Sequence, residues 1–125
     1  MNFLIIDAAL NKICFFSKFN NYSYNQSYES SKNNYEQFAI LLTNFLTKNK
    51  IDIAKIKHLF INQGPGNFSG IRSSLATAKG LSMIYDLNLY GFNANDVKSS
   101  NYSDIIILYN QKKLKKNLIK PLYLS

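Results

Sequence analysis

The stretch that most limits the fold of this chain runs from residue 57 to residue 85. Residues 57–62 hold His58-Leu59-Phe60-Ile61, a short apolar run that reads as a buried strand. It passes into Gln63-Gly64-Pro65-Gly66-Asn67-Phe68-Ser69-Gly70-Ile71-Arg72 and then into a helix expected over 71–85. Strand, glycine turn and helix in that order commit the chain to an α/β arrangement. The glycines let the backbone pass close to a neighbour, while Asn67 or Ser69 can cap the first helix amides. The helix is built from small residues, Ser73, Ser74, Ala76, Thr77, Ala78, Gly80 and Ser82, with Ile71, Leu75, Leu81 and Ile84 as its apolar bulk. Glycine in a helix interior costs about 1 kcal/mol relative to alanine, so close packing against another element is expected at Gly80.

The remaining segments supply partners for this unit. Phe3-Leu4-Ile5-Ile6 is a continuous apolar run ending in Asp7, which reads as a central strand covered on both faces. Residues 12–17 read as a second strand and the Tyr/Ser/Asn alternation of 21–28 as a polar edge strand, giving an antiparallel meander. After a polar break over 30–34, Tyr35, Phe38, Leu41, Leu42, Phe45 and Leu46 recur at helical spacing to about residue 48. Ala39 and Ile40 widen that stripe beyond one buried face, which fits core packing, the commoner explanation, or surface left for a partner. A strand over 89–92 completes a mixed five-stranded sheet. A polar connection over 93–103 and a further strand candidate over 104–109 precede the basic end of the chain.

A chain of 125 residues, 46% apolar and 14% aromatic, fits one domain and is too apolar for disorder. No apolar run approaches the roughly 20 residues that span a bilayer, and the N-terminus lacks a basic leader, so a cytoplasmic protein is expected. Cys14 and His58 are the single residues of their kinds and form no zinc set; Cys14 is expected as a buried structural thiol. The net charge of +8 suits a polyanion such as RNA. Much of it lies at Lys112, Lys113, Lys115, Lys116 and Lys120, where a solvated tail is expected ahead of an RNA contact.

A glycine loop before a helix is a general anion site, because free amides and the helix dipole meet there. The spacing of Gly64, Gly66 and Gly70 is not the dinucleotide fingerprint, no Lys-Ser/Thr pair follows, and Pro65 removes one amide donor. A structural turn and an anion-binding loop both remain open. Ser69 has no base near it, since His58 lies at the start of the preceding strand. Asp7 is the one carboxylate at a strand's carboxyl end and makes no acid/base pair, so no catalytic residue is expected.

Gly64-Pro65-Gly66-Asn67-Phe68-Ser69-Gly70-Ile71-Arg72 resembles the Gly-Pro-Gly-Ser-Phe-Thr-Gly-hydrophobic-Arg signature of the TsaB (YeaZ-like) family, and Pro121-Leu122-Tyr123-Leu124 its Pro-x-Tyr-Leu close. The resemblance covers roughly residues 1–95 and the last five, and its signature loop comprises Gly64, Pro65, Gly66, Phe68, Ser69, Gly70 and Arg72. It implies the N-terminal subdomain of an actin-like ATPase, or ribonuclease H-like, fold over 1–95. Residues 96–125 would be a remnant of the second subdomain, otherwise largely missing, with the basic tail. Asp7-Ala8-Ala9 stands where the family carries Asp-Thr-Ala, which argues against nucleotide binding by this subunit alone.

By the same resemblance the chain is a non-catalytic scaffold that pairs with TsaD in threonylcarbamoyl transfer to a tRNA adenosine next to the anticodon. ATP and metal sit on TsaD, TsaE joins the assembly, and tRNA is met through the complex. Pairing through N-terminal helices carries over to Phe38, Leu42 and Phe45 on one helix and Ser74, Ala78 and Leu81 on the other. A homodimer through that face is the alternative for the isolated chain. From a different class, the positive balance and the many tyrosines support a free-standing RNA-binding module.

Overall fold

The computed structural model describes residues 1–97, 102–116 and 119. Lys120 and the Pro121-Leu122-Tyr123-Leu124 close lie outside the described residues. The chain forms one six-stranded mixed sheet in the order β3-β2-β1-β4-β5-β6, one strand more than the five expected. Its centre is β1 (Phe3–Asp7), buried along its whole length as an apolar run flanked on both sides requires. β1 pairs antiparallel with β2 (Lys12–Phe19) and parallel with β4 (His58–Asn62). β2 turns into β3 (Tyr22–Glu29) through Asn20 and Asn21, whose φ values of 51° and 70° match a two-residue hairpin of the type favoured by strand twist. Tyrosines at 24 and 28 face the core from this edge strand, and serines and asparagine occupy the alternate positions.

The helical segment begins earlier than expected and is divided. The Ser31 side chain accepts a hydrogen bond from the Asn34 amide and starts α1 (Lys32–Glu36); after Gln37 the chain continues as α2 (Phe38–Lys48). α3 (Phe68–Tyr85) also begins three residues before the expected start, because Asn67 caps it by accepting from the Gly70 amide at 2.9 Å. It crosses over to β5 (Asn88–Phe92), which lies parallel to β4.

Residues 104–109 are not a strand but lie within a helix, α4 (Ser103–Asn110). The run of isoleucines favours a strand locally. Packing overrides it, since Ile105 and Tyr109, one turn apart, together with Ile106, cover Phe3, Phe60 and Phe92 on a sheet face where, among the described residues, no other α-helix packs. The chain then returns as β6 (Lys115–Lys116), antiparallel to β5, so the described residues after 95 extend this sheet and cover it.

α1, α2 and α3 share the other face. Phe38, Leu42 and Phe45 meet Leu4, Ile6, Phe15, Leu59, Ile61, Ile71, Leu75 and Ala78 in one buried cluster. Phe15 is its pivot, edge-on to Phe38 at 5.5 Å between ring centres and 5.7 Å from Phe45. Each such side chain contributes about 1.5–3 kcal/mol by leaving water. Cys14 is half-buried, not fully buried as expected, with its Sγ 3.5 Å from Ser27 Oγ. Among the described residues, no helix is long and apolar enough to cross a membrane.

Candidate functional site

The carboxyl ends of the parallel pair β1 and β4 meet at Asp7 and Asn62, both buried. Open α/β sheets gather their polar groups at this end. Asn62 Nδ2 donates to Asp7 Oδ1 at 2.9 Å, and its own Oδ1 accepts the Gly64 amide at 2.9 Å. From the residue that precedes α4, 95 positions along the chain, the Tyr102 hydroxyl donates to Asp7 Oδ2 at 2.8 Å. Burial first, then the Asp7 carboxylate and Cys14, raise the Tyr102 phenol far above its ordinary value, so it stays a donor. Both Asp7 oxygens are thus held by neutral groups.

A metal ion does not fit this donor set. Among the described residues no three His, Cys, Asp or Glu side chains come together, and Asp7 faces an amide and a phenol instead of further ligands. The Asp96 carboxylate accepts a hydrogen bond from the Asn93 amide at 2.9 Å. Among the described residues, no acid/base pair and no nucleophile with its base arises here.

The glycine loop is tied to its surroundings in the same way. The Asn67 amide donates to the Ala9 carbonyl at 2.7 Å, and the Gly64 carbonyl accepts from Ala94 at 2.8 Å. A Cβ at Gly66 would overlap the Ala9 carbonyl oxygen and one at Gly70 the Ala8 carbonyl oxygen. These two glycines therefore exist for close approach, pressing the start of α3 onto the turn after β1. The Gly64, Asn67 and Gly70 amides are spent within the chain, which gives the loop the role of a structural turn. Pro65 follows Gly64 in a cis peptide bond, and Phe68, Ser69 and Arg72 are exposed on the outer side.

The residues expected to meet a partner are placed differently. Phe38, Leu42, Phe45, Ser74 and Ala78 are buried in the chain's own core and Leu81 is half-buried against it, so they are not a surface. Helical spacing reveals one apolar stripe, and the sheet occupies that stripe first. Large apolar residues that these two helices leave in solvent include Ile40 at 58% exposure, Phe68 at 55%, Met83 at 84% and Ile84 at 74%. Gly80 has none of the expected packing: a Cβ there would meet nothing within 4 Å.

Sequence reasoning missed Asn62 and Tyr102. A polar residue ending an otherwise buried strand was a signal for Asn62; nothing local marks Tyr102. It also missed the aromatic group around His58, whose Nε2 lies 2.9 Å from the Tyr109 hydroxyl in a hydrogen bond.

Comparison with known proteins agrees with this geometry. The family model described as TsaD, tRNA N6-adenosine threonylcarbamoyltransferase, matches residues 18–101. No curated protein matches the chain. Among solved structures, YeaZ from Pseudomonas aeruginosa superposes with a TM-score of 0.67 at 12% identity, over 74% of this chain and 43% of YeaZ. A second Pseudomonas aeruginosa structure, described as similar to peptidase YEAZ, gives the same figures. RuvC of T. thermophilus, solved with a Holliday junction substrate, superposes with a TM-score of 0.58 at 7% identity, over 94% of this chain and 99% of RuvC. The fold is the ribonuclease H-like α/β fold, and the chain spans less than half the length of the YeaZ structures it matches. With β3, β4, the glycine loop and α3 all inside the matched segment, the chain belongs to the TsaD/YeaZ (TsaB) family and carries the fold of its N-terminal domain.

Proposed function

We propose that this chain is a non-catalytic scaffold subunit that pairs with TsaD and supports threonylcarbamoyl transfer to the tRNA adenosine next to the anticodon. One observation carries the reading: in a member of a threonylcarbamoyltransferase family, Asp7 is held by Asn62 and Tyr102, and among the described residues no companion carboxylates gather with it to build a reaction on. The chemistry, with its ATP and metal, then belongs to TsaD, and TsaE joins the same assembly. A subunit that binds one conformation of TsaD more tightly than others raises that conformation's population without touching substrate.

The pairing surface in this proposal is the outer side of α2 and α3, at Ile40, Gly80, Met83 and Ile84, in place of the buried residues. Exposed apolar side chains supply the contact, and the open space at Gly80 admits a close backbone. The same surface serves a homodimer when the chain is alone.

Co-expression with TsaD tests this. A stable complex is expected, with tRNA modification higher in its presence than with TsaD alone. The pair Ile40→Asp and Ile84→Asp should abolish the complex while shifting chain stability by no more than about 0.5 kcal/mol, as surface changes do. A complex that survives both changes removes the proposed surface. Modification indifferent to the chain removes the function.

A further inference from the structure

We propose that the cleft between β5, β6 and the end of α4 binds a nucleotide unit of single-stranded RNA, its base against tyrosine and its phosphates on lysine. The cleft has a volume of about 430 Å³ and is lined by Tyr90, Tyr109, Asn110, Lys112, Leu114 and Lys116. That volume falls within the range of small-ligand pockets, roughly 300–1,000 Å³. Among the described residues no carboxylate lines it, and the two lysines give it one sign of charge.

The aromatic wall is held in place from behind. Tyr90 and Tyr109 meet edge to face at 5.1 Å between ring centres. His58 and Phe60 lie stacked with Tyr90 at 6.1 Å and 5.5 Å, and the Tyr109 hydroxyl is bonded to His58. A wall fixed by its neighbours loses little freedom when a ring is laid against it. Lys116 Nζ already sits 5.8 Å from the centre of the Tyr90 ring, so a cation occupies the face that a base can take.

The lining selects among anions. Lysines alone serve any polyanion, including an acidic peptide. An aromatic face beside them favours a ligand with its own π-face, which is how single-stranded nucleic acids are held without reading their sequence. Asn110 adds an amide that can meet a base edge. Lys113 and Lys115 are exposed in the same stretch and extend the track for a strand longer than one unit. Within the basic stretch, expected as a solvated tail, Lys115 and Lys116 form a strand, and Lys112 and Lys116 line the cleft. The ligand class rests on this cleft; the choice of RNA over DNA rests on the tRNA substrate of the proposed function.

The test uses the full chain alone, so failure to pair with TsaD leaves it untouched. Fluorescence anisotropy follows a labelled single-stranded RNA of about 12 nucleotides across a salt series, with the matching DNA and polyglutamate as competitors. Binding should weaken steeply with salt. Lys112→Ala with Lys116→Ala should reduce the slope of log Kd against log salt by about 1.4, since each phosphate neutralised contributes about 0.7 for single strands. Tyr90→Leu, which keeps apolar cover over Phe60, should weaken binding about tenfold at constant slope. Lys18→Ala with Lys48→Ala, exposed on other elements, should leave affinity within about twofold. The proposal is overturned if the Lys112/Lys116 variant binds as the parent does, if Tyr90→Leu has no effect in a chain of unchanged circular dichroism, or if polyglutamate competes as well as RNA. DNA displacing RNA at equal concentration refutes the choice of RNA.

Discussion

The two faces of the sheet are built on different terms. Three helices cover one face, and its buried cluster is formed from aliphatic and phenylalanine side chains such as Leu42, Phe45 and Leu75. The other face has α4 as its helix, and its packed residues include Tyr90, Tyr102 and Tyr109. Two of these hydroxyls have a task, Tyr102 at Asp7 and Tyr109 at His58. The first face excludes water and the second keeps polar groups at the boundary with water. Stability is concentrated where the helices are many, and chemistry or recognition where cover is thin.

Unequal cover makes a first prediction, and the largest effect. Phe45→Ala on the three-helix face should lower the unfolding free energy by about 3–5 kcal/mol, whereas Ile105→Ala on the thin face should fall at the low end of about 2–5 kcal/mol. Urea unfolding of both variants decides it, and equal costs would mean that the two faces bear load alike. A smaller effect, about 1–3 kcal/mol, is expected for Gly66→Ala, because the added Cβ runs into the Ala9 carbonyl and the start of α3 must lift. Thermal unfolding reads that cost, and a neutral result would show that the turn yields.

The smallest effect is one of pH on the thin face. Burial first, then Lys116 and the N-terminal amine, hold His58 below its ordinary value of 6.5. The unfolded chain therefore takes up this proton at higher pH than the folded chain does. The contribution is fully present above the unfolded value and is lost as pH falls from there through the folded value. His58→Gln should flatten that part of the stability profile between about pH 7 and the folded value, in urea midpoints measured across the range. An unchanged profile would place the proton elsewhere.

How far the fold was legible follows from the range of each interaction. The apolar run of β1, the hairpin strands, and the order of strand, glycine loop and α3 are local patterns, and they stand where periodicity put them. Phe38, Leu42 and Phe45 were legible as one stripe, but periodicity tells which residues share a side and not what covers it; the sheet, not a partner, does. Ile105, Ile106 and Ile107 carry strong strand preference, and the need to cover Phe3, Phe60 and Phe92 made them helical instead. The site itself was half legible. Asp7 could be placed at a strand end, whereas its partners stand 55 and 95 positions away and leave no mark on neighbouring sequence.

The contact of Gly66 with Ala9 and of Gly70 with Ala8 has a mechanical consequence. With bare backbone against backbone there is no compliant side chain to absorb a displacement, so the first turn of α3 and the exit of β1 behave as one rigid link. A load applied along the outer side of α3 arrives, without slack, one peptide from the buried acid.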